Sequence, residues 1–192
     1  MKSFYFLFLI VACSFITACD SNKSRIAKTM EQMKSAPIMI HYDKLDVWAS
    51  DSIKKISPWK HAKLKLVHYI DSVQCSSCYL TKIPVLEPLL DLEKESNNQF
   101  YNIFVVYPGD NVRNWKTLKS DYKQKMTPAT LFVDSLHVFM DKNPNLPQEV
   151  MFHTFLLDEN NNVVFVGSPF DANIRNKTIT IIKQRLSNLT ED

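Results

Sequence analysis

Two cysteines, Cys75 and Cys78, have the residue type and spacing that could carry chemistry. They follow an apolar run at residues 63–70, which predicts a buried strand, and they precede an amphipathic stretch at residues 76–95, which predicts a helix. A Cys-x-x-Cys pair at a switch from strand to helix indicates redox chemistry. At the helix start, free N–H groups and the helix dipole would stabilise a thiolate. We expect Cys75 to be the attacking thiol because it is nearer the surface, and Cys78 to be the resolving one.

A purely structural disulfide is the alternative for this pair. A bridge across two intervening residues closes a very small loop, so it removes little entropy from the unfolded chain and stabilises little. Redox use is therefore favoured, with exchange passing through a mixed disulfide on Cys75. The chemistry resides in the two sulfurs, and no cofactor is expected. Asp71, four residues before Cys75, is a candidate proton acceptor near the pair, and a solvated strand end is its alternative role.

The start of the chain predicts an exported lipoprotein. A positive start is followed by a mostly apolar stretch at residues 4–18, which is short for a membrane span and suits a signal peptide. It ends in Phe-Ile-Thr-Ala-Cys19, which resembles a bacterial lipoprotein box. That resemblance implies cleavage before Cys19, a lipid on Cys19 and a position on the non-cytoplasmic face of the cell envelope, where thiols can be oxidised. The alternatives are an ordinary signal peptide cut nearby and a retained membrane anchor.

Composition limits the other function classes. The chain has 192 residues, 45% of them hydrophobic, which suggests one domain with an appendage. Only 2 glycines are present, which nearly excludes phosphate-binding glycine loops. The net charge of +3 is spread without a basic stripe, so nucleic acid is not an expected partner. We divide the chain into a signal peptide at 1–18, a lipid-anchored tether and N-terminal extension at 19–62, and a main domain at 63–192.

The hydrophobic pattern predicts an α/β domain. Helices are expected at residues 76–95, with a kink near Pro84 and Pro88, and at 112–125, 135–142 and 173–189. Strands are expected at 37–42, 63–70, 100–107, 128–134, 151–158 and 163–167, the last two forming a hairpin across an Asn-rich turn. The order implies a mixed sheet that ends in an antiparallel hairpin.

This order of elements, with Cys75-Ser-Ser-Cys78 after the first core strand, resembles the thioredoxin fold. Together with Pro84 and the run Thr-Phe-Leu-Leu-Asp at residues 154–158, it is similar to the TlpA/ResA type of envelope thiol–disulfide oxidoreductase. The resemblance covers roughly residues 63–189. It implies a central mixed sheet flanked by helices, activity on disulfides of envelope proteins, and an upstream thiol electron donor as partner.

The sequence departs from the family pattern at several positions. Gln74 stands where the family has Trp, and Pro84 is one residue later than usual. The family places a cis-proline opposite the cysteines, and the position here is Phe152. A cis bond before a residue other than proline costs about 3 kcal/mol, so Met151–Phe152 is expected to be trans. Thr127–Pro128 is a second candidate for a cis bond, one strand earlier.

The missing proline opens an alternative function. In the family the cis-proline keeps metals away from the thiols, and here His153 stands beside its position. Cys75, Cys78 and His153 could converge into a soft site for copper(I) or zinc. A hydrogen-bonded sheet residue is the alternative role of His153. The second function considered is therefore a thioredoxin-like module that binds a metal or a partner protein without turnover.

Overall fold

The computed structural model describes residues 22–124 and 129–188, apart from the side chains of residues 51 and 52. In this part of the chain the helices are α1 (22–34), α2 (Asp51–Ile56), α3 (Ser76–Lys82), α4 (Glu87–Glu95), α5 (Val112–Gln124), α6 (Val138–Asp141) and α7 (Ala172–Asn188). The strands are β1 (Asp46–Trp48), β2 (Leu64–Ile70), β3 (Phe100–Val106), β4 (Leu131–Val133), β5 (Thr154–Leu157) and β6 (Val163–Val166). Short 3-10 turns lie at Tyr42–Lys44, Pro58–Lys60, Ile83–Leu86 and Val150–Phe152.

The strands form one mixed sheet in the order β1-β4-β3-β2-β5-β6. The central strand β2 pairs parallel with β3 and antiparallel with β5, while β3 pairs parallel with β4. The hairpin β5–β6 closes one edge and β1 closes the other. Every residue of β2 and β3 is buried, as expected for strands covered on both faces. A strand, the cysteine-bearing helix, a parallel strand and an antiparallel hairpin make the fold thioredoxin-like, which confirms the predicted class.

Side chains of β2 alternate between two hydrophobic cores. Val67 and Tyr69 face a core shared with the N-terminal segment and α6. Leu66 and Ile70 face the other core, which is formed with α3, α4, α5 and α7. Because a strand directs successive side chains to opposite faces, β2 is fixed from both sides. The loop that follows it therefore starts from a rigid base.

The segment 76–95 is broken, as predicted. Helix α3 ends at Lys82, a 3-10 turn covers Ile83–Leu86, and α4 starts at Glu87. Pro84 and Pro88 each stand in the first two positions of the element they begin, where a missing N–H costs no hydrogen bond. The helical turn before the break keeps Tyr79 and Lys82 beside the cysteines.

The predicted strand at residues 37–42 is wrong. Ile38 donates its N–H to the carbonyl of Asn161 at 2.9 Å, and Met39 donates to Oδ1 of Asn143 at 2.7 Å. The side-chain amide of Asn145 in turn donates to the carbonyls of Met33 and Ala36, each at 3.0 Å. Backbone groups of this segment thus form hydrogen bonds with loop residues and not with a neighbouring strand. The edge strand β1 begins only at Asp46.

The predicted strand at 151–158 begins later than expected. Met151 and Phe152 lie in the 3-10 turn, and β5 starts at Thr154. The hairpin is present, and Asp158 shapes its turn by accepting the N–H groups of Asn160 and Asn162. Across the residues that the structure describes, no helix combines the length and the apolar character that crossing a membrane requires.

Candidate active site

Cys75 and Cys78 are joined by a disulfide, with their Cα atoms 5.1 Å apart. Cys75 is the N-cap of α3: its sulfur accepts the N–H of Cys78 at 3.2 Å, and its carbonyl accepts the N–H of Tyr79 at 2.9 Å. An N–H donor and the start of a helix both favour negative charge on sulfur. Both cysteines are exposed, so accessibility does not separate their roles. The N-cap position is what favours Cys75 as the thiolate.

The loop before the cysteines is shaped by Asp71. Its carboxylate accepts the N–H of Val73 at 2.7 Å, and its own N–H donates to the side-chain carbonyl of Gln74 at 3.2 Å. The N–H of Gln74 donates to the carbonyl of Asp71 at 3.1 Å. These bonds fold residues 71–74 into a tight turn, a structural task that short Asp side chains perform well. The proton-accepting role of Asp71 stays a prediction.

Two cavities of about 420 Å³ each meet at Cys75. One, which we name the arginine cavity, is lined by Ser72, Val73, Gln74, Cys75, Ser76, Ser77, Pro108, Arg113, Asn114 and Thr117. The other, which we name the aromatic cavity, is lined by Tyr69, Gln74, Cys75, Cys78, Tyr79, Lys82, Val150, Met151, His153, Thr154, Ser168 and Phe170. A disulfide substrate that reaches Cys75 would thus meet residues of both cavities.

His153 lies on the wall of the aromatic cavity and is 2% exposed. Its Nε2 lies 3.1 Å from the carbonyl of Pro147, while Nδ1 has no hydrogen-bond partner among the described residues. Burial lowers the pKa of His153, and the carbonyl of Pro147 and the charges of Asp71 and Glu149 oppose that shift. Its ring also packs edge-on against Tyr69 at 5.1 Å. The structure therefore gives His153 the setting of a buried, hydrogen-bonded residue.

The alternative metal arrangement, in which Cys75, Cys78 and His153 would converge, is not formed among the described residues. Within residues 22–124 and 129–188, no three His, Cys, Asp or Glu side chains come close enough to hold a metal ion. His153 shares the cavity with both cysteines, yet its Nε2 is engaged by the carbonyl of Pro147. The structure therefore does not support the Cys75/Cys78/His153 metal site that the sequence left open as an alternative.

Phe152, at the position of the family's cis-proline, is buried and belongs to the 3-10 turn that closes the aromatic cavity. The described residues contain no cis peptide bond, so Met151–Phe152 is trans as expected. Thr127–Pro128, the second candidate for a cis bond, lies outside the described residues. Met151 is 54% exposed and lines the aromatic cavity.

Several residues at the site were not singled out by the sequence. Tyr79, Phe170 and Arg113 line the two cavities, and they come from three separate segments of the chain. Only Arg113 carries a local signal, because a cation in the first turn of a helix opposes the helix dipole. Cys19, the predicted lipidation site, lies outside the described residues.

Comparison with known proteins is limited to distant structural similarity. No family model matches the chain, and no curated protein matches it. Among solved structures, a domain of a "possible thiol-disulfide isomerase" from Cytophaga hutchinsonii has a TM-score of 0.42 at 15% identity, covering 66% of this chain and 80% of that one. A thioredoxin-like protein from Bacteroides caccae has a TM-score of 0.43 at 12% identity, covering 82% and 53%.

A further structural neighbour is the C-terminal domain of an uncharacterized protein from Bacteroides fragilis. Its TM-score is 0.42 at 16% identity, and the match covers 66% of this chain and 79% of that one. Similarity of this degree does not establish a shared activity. The thioredoxin-like fold follows from the strand order, and the exposed Cys75–Cys78 disulfide at the start of α3 supports a general role in thiol–disulfide exchange.

Proposed function

We propose that this chain is a thiol–disulfide oxidoreductase that acts on disulfides of bacterial envelope proteins and is held at the membrane by a lipid on Cys19. The observation that carries the proposal is the exposed Cys75–Cys78 disulfide at the first turn of α3. Exposure lets a protein disulfide reach the pair, and the N-cap position favours the thiolate that exchange requires. The two cavities beside Cys75 offer room for the chain on either side of a substrate cysteine.

The exchange proceeds in two displacements. The Cys75 thiolate attacks one substrate sulfur, the substrate S–S bond breaks, and the released substrate thiolate takes up a proton. Cys78 then loses its proton and attacks the Cys75 sulfur of the mixed disulfide, which forms the Cys75–Cys78 bond and frees the second substrate thiol. The pair gives two electrons to the substrate, and an upstream thiol donor returns two electrons to the pair. Run in reverse, the same steps oxidise a substrate dithiol.

The first test is the reduction potential of the pair. The full chain carrying Cys13→Ser and Cys19→Ser, kept in detergent, retains only two thiols, which can be titrated against a dithiol buffer and counted. A value near that of thioredoxin, about −270 mV, would identify a reductant, and a value several tens of millivolts higher an isomerase or oxidant. A pair that cannot be cycled between dithiol and disulfide would overturn the proposal.

Trapping separates the two thiols. In the same background, Cys78→Ser should accumulate a mixed disulfide with a protein substrate, because the resolving thiol is gone. Cys75→Ser should trap none or far less if Cys75 is the attacking thiol. Equal trapping by both variants would contradict the assigned roles.

The lipid anchor has its own test. Cys19→Ala in the natural chain should abolish incorporation of labelled fatty acid and move the protein out of the membrane fraction. Retention of the variant in that fraction would favour a membrane anchor that does not depend on lipid. Neither result tests the exchange chemistry of Cys75 and Cys78. The lipid anchor and the exchange activity are therefore tested independently.

A further inference from the structure

We propose that the arginine cavity binds a negatively charged group of the disulfide substrate, so that Cys75 reacts preferentially with disulfides that carry a carboxylate beside the sulfur. This inference rests on the proposed exchange function and adds the substrate class. Arg113 supplies the charge, and the cavity that it shares with Cys75 is lined by no Asp or Glu among the described residues.

The guanidinium of Arg113 is free for a ligand. Its backbone N–H donates to the side chain of Asn111 at 2.9 Å, and its side chain makes no ion pair or hydrogen bond within the part of the chain that the structure describes. Arg113 is the second residue of α5, where the positive end of the helix dipole disfavours a cation. Helix stability therefore does not favour an arginine at this exposed position.

The remaining lining residues suit a polar, charged group. Ser72, Ser76, Ser77 and Thr117 bring hydroxyl groups to the same cavity, and each can donate to a carboxylate oxygen. Arg can hold a carboxylate through two parallel N–H bonds, which fixes its orientation as well as its charge. The cavity thus offers a cation and several neutral donors without a competing anion.

The fold holds the wall of this cavity in place. Trp115 donates its indole N–H to the carbonyl of Gly109 at 2.7 Å, and Asn114 donates to the carbonyl of Pro108 at 2.9 Å. Gly109 has φ +78°, and a Cβ there would lie 2.9 Å from Cβ of Ser72. These contacts bring the start of α5 against the loop before Cys75, which places Arg113 and the reactive sulfur on one cavity.

The aromatic cavity can be compared with the arginine cavity as a possible site for the charged group. It also carries a cation without an ionic partner among the described residues, Lys82, but it is walled by Tyr69, Tyr79 and Phe170. Its character therefore suits an apolar part of the substrate chain. The proposal assigns the charged part to Arg113 and predicts that Lys82 contributes less to the preference for anions.

A matched set of small disulfides tests this. Dithiodipropionate is anionic, 2-hydroxyethyl disulfide is neutral and cystamine is cationic, and the three are close in length. Second-order rates of their reduction by the full reduced chain, carrying Cys13→Ser and Cys19→Ser in detergent, give an anion-to-cation rate ratio. In each reaction the Cys75 and Cys78 thiols are oxidised to a disulfide and the probe is reduced to two thiols.

Because the three leaving thiols differ in intrinsic reactivity, the diagnostic quantity is the change in the ratio. We expect the ratio to fall about 2- to 5-fold in Arg113→Gln, the size of a solvent-exposed ion pair. It should also fall as ionic strength rises. Lys116→Gln is the matched control, because Lys116 lies one turn further along α5 and does not line the cavity, and its ratio should match the wild type.

Other outcomes overturn the inference. A ratio unchanged in Arg113→Gln, or one that responds only to Lys82→Gln, would place anion binding elsewhere. A decrease that is equal for all three probes would mean that Arg113 acts on the Cys75 thiolate and not on the substrate. If none of the probes is reduced, the proposed exchange function itself fails, and this inference fails with it.

Discussion

The hydroxyl oxygen of Tyr79 lies 2.9 Å from Nδ1 of His68, which ties the residue after Cys78 to the strand before the cysteines. His68 is fully buried and stacks on Phe104 with ring centroids 4.4 Å apart. Burial lowers the pKa of His68 to about 3, against an opposing effect of the Asn102 side chain, so the ring is neutral at pH 7. The first turn of α3 is therefore fixed to β2 by a buried hydrogen bond between neutral groups.

Tyr79→Phe should remove this bond and keep the ring. Because Nδ1 of His68 would remain buried without a partner, the free energy of unfolding should fall by about 1–3 kcal/mol. Urea denaturation of the oxidised protein measures the loss. Tyr107→Phe is the control, since among the described residues its hydroxyl bonds only to the exposed Asp110, and it should lose less than about 0.5 kcal/mol. Equal losses in the two variants would contradict a structural role for the bond.

The raised pKa of Glu93 should make the free energy of unfolding depend on pH. Burial raises its pKa from 4.5 to about 7, although the backbone and side-chain N–H groups of Asn102 oppose the shift. Between these two pKa values the folded chain keeps a proton that the unfolded chain has lost. The stabilisation is fully present below pH 4.5 and is lost as the pH rises toward 7, by at most about 1.4 kcal/mol per pH unit.

The measurement compares wild type with Glu93→Gln in urea at pH 4.5 to 7. The free energy of unfolding of wild type minus that of the variant should decrease as the pH rises. His68 and His153, whose pKa values are lowered, titrate in both proteins and cancel in this difference. Glu95→Gln, on an exposed residue of the same helix, controls for the loss of one carboxylate from α4. A difference that stays constant or increases with pH would refute the prediction for Glu93.

The parts of the fold that sequence predicted are those set by local patterns. Apolar runs marked β2 and β3, helical periodicity marked α5 and α7, and prolines marked the break after α3. The predicted strand at 37–42 had a similar apolar pattern, but its backbone bonds to Asn143 and Asn161, more than a hundred residues away. A local pattern cannot show whether the partner of an N–H group is a neighbouring strand or a distant side chain.

In the candidate site, too, the features set by local sequence were predicted and those set by distant contacts were not. The spacing of Cys75 and Cys78 is local, and it predicted their place at the start of a helix. The walls of the cavities come from β2, α5, the turn before β5 and the loop after β6, and only the sheet order brings these segments together. The alternative metal site with His153 is not formed in the described part of the chain: the ring of His153 is engaged by the carbonyl of Pro147, a contact that the sequence does not reveal.

Asn143 gives a test of how the N-terminal segment is held. It is 1% exposed, accepts the N–H of Met39 and donates to the carbonyls of Met39 and Phe139 at 3.0 and 2.7 Å. Asn143→Ala should lower the free energy of unfolding by about 2–4 kcal/mol, because it removes three hydrogen bonds, one of them to the buried carbonyl of Phe139. Limited proteolysis should then cut near residue 39 earlier than in wild type. Asn176→Ala on α7 is the control, and equal proteolysis of both variants would argue against this docking.

Two variants distinguish the two roles considered for Asp71, which are shaping the loop and accepting a proton from the cysteine pair. Asp71→Asn keeps an oxygen that can accept the N–H of Val73, whereas Asp71→Ala removes it. If the residue shapes the loop, alkylation of reduced Cys75 should follow the wild-type pH profile in the Asn variant and change in the Ala variant. If Asp71 accepts a proton from the pair, the Asn variant should lose that titration as completely as the Ala variant. The hydrogen bonds to Val73 and Gln74 lead us to expect the first result. A profile in Asp71→Asn that departs from wild type as far as that of Asp71→Ala would establish the second.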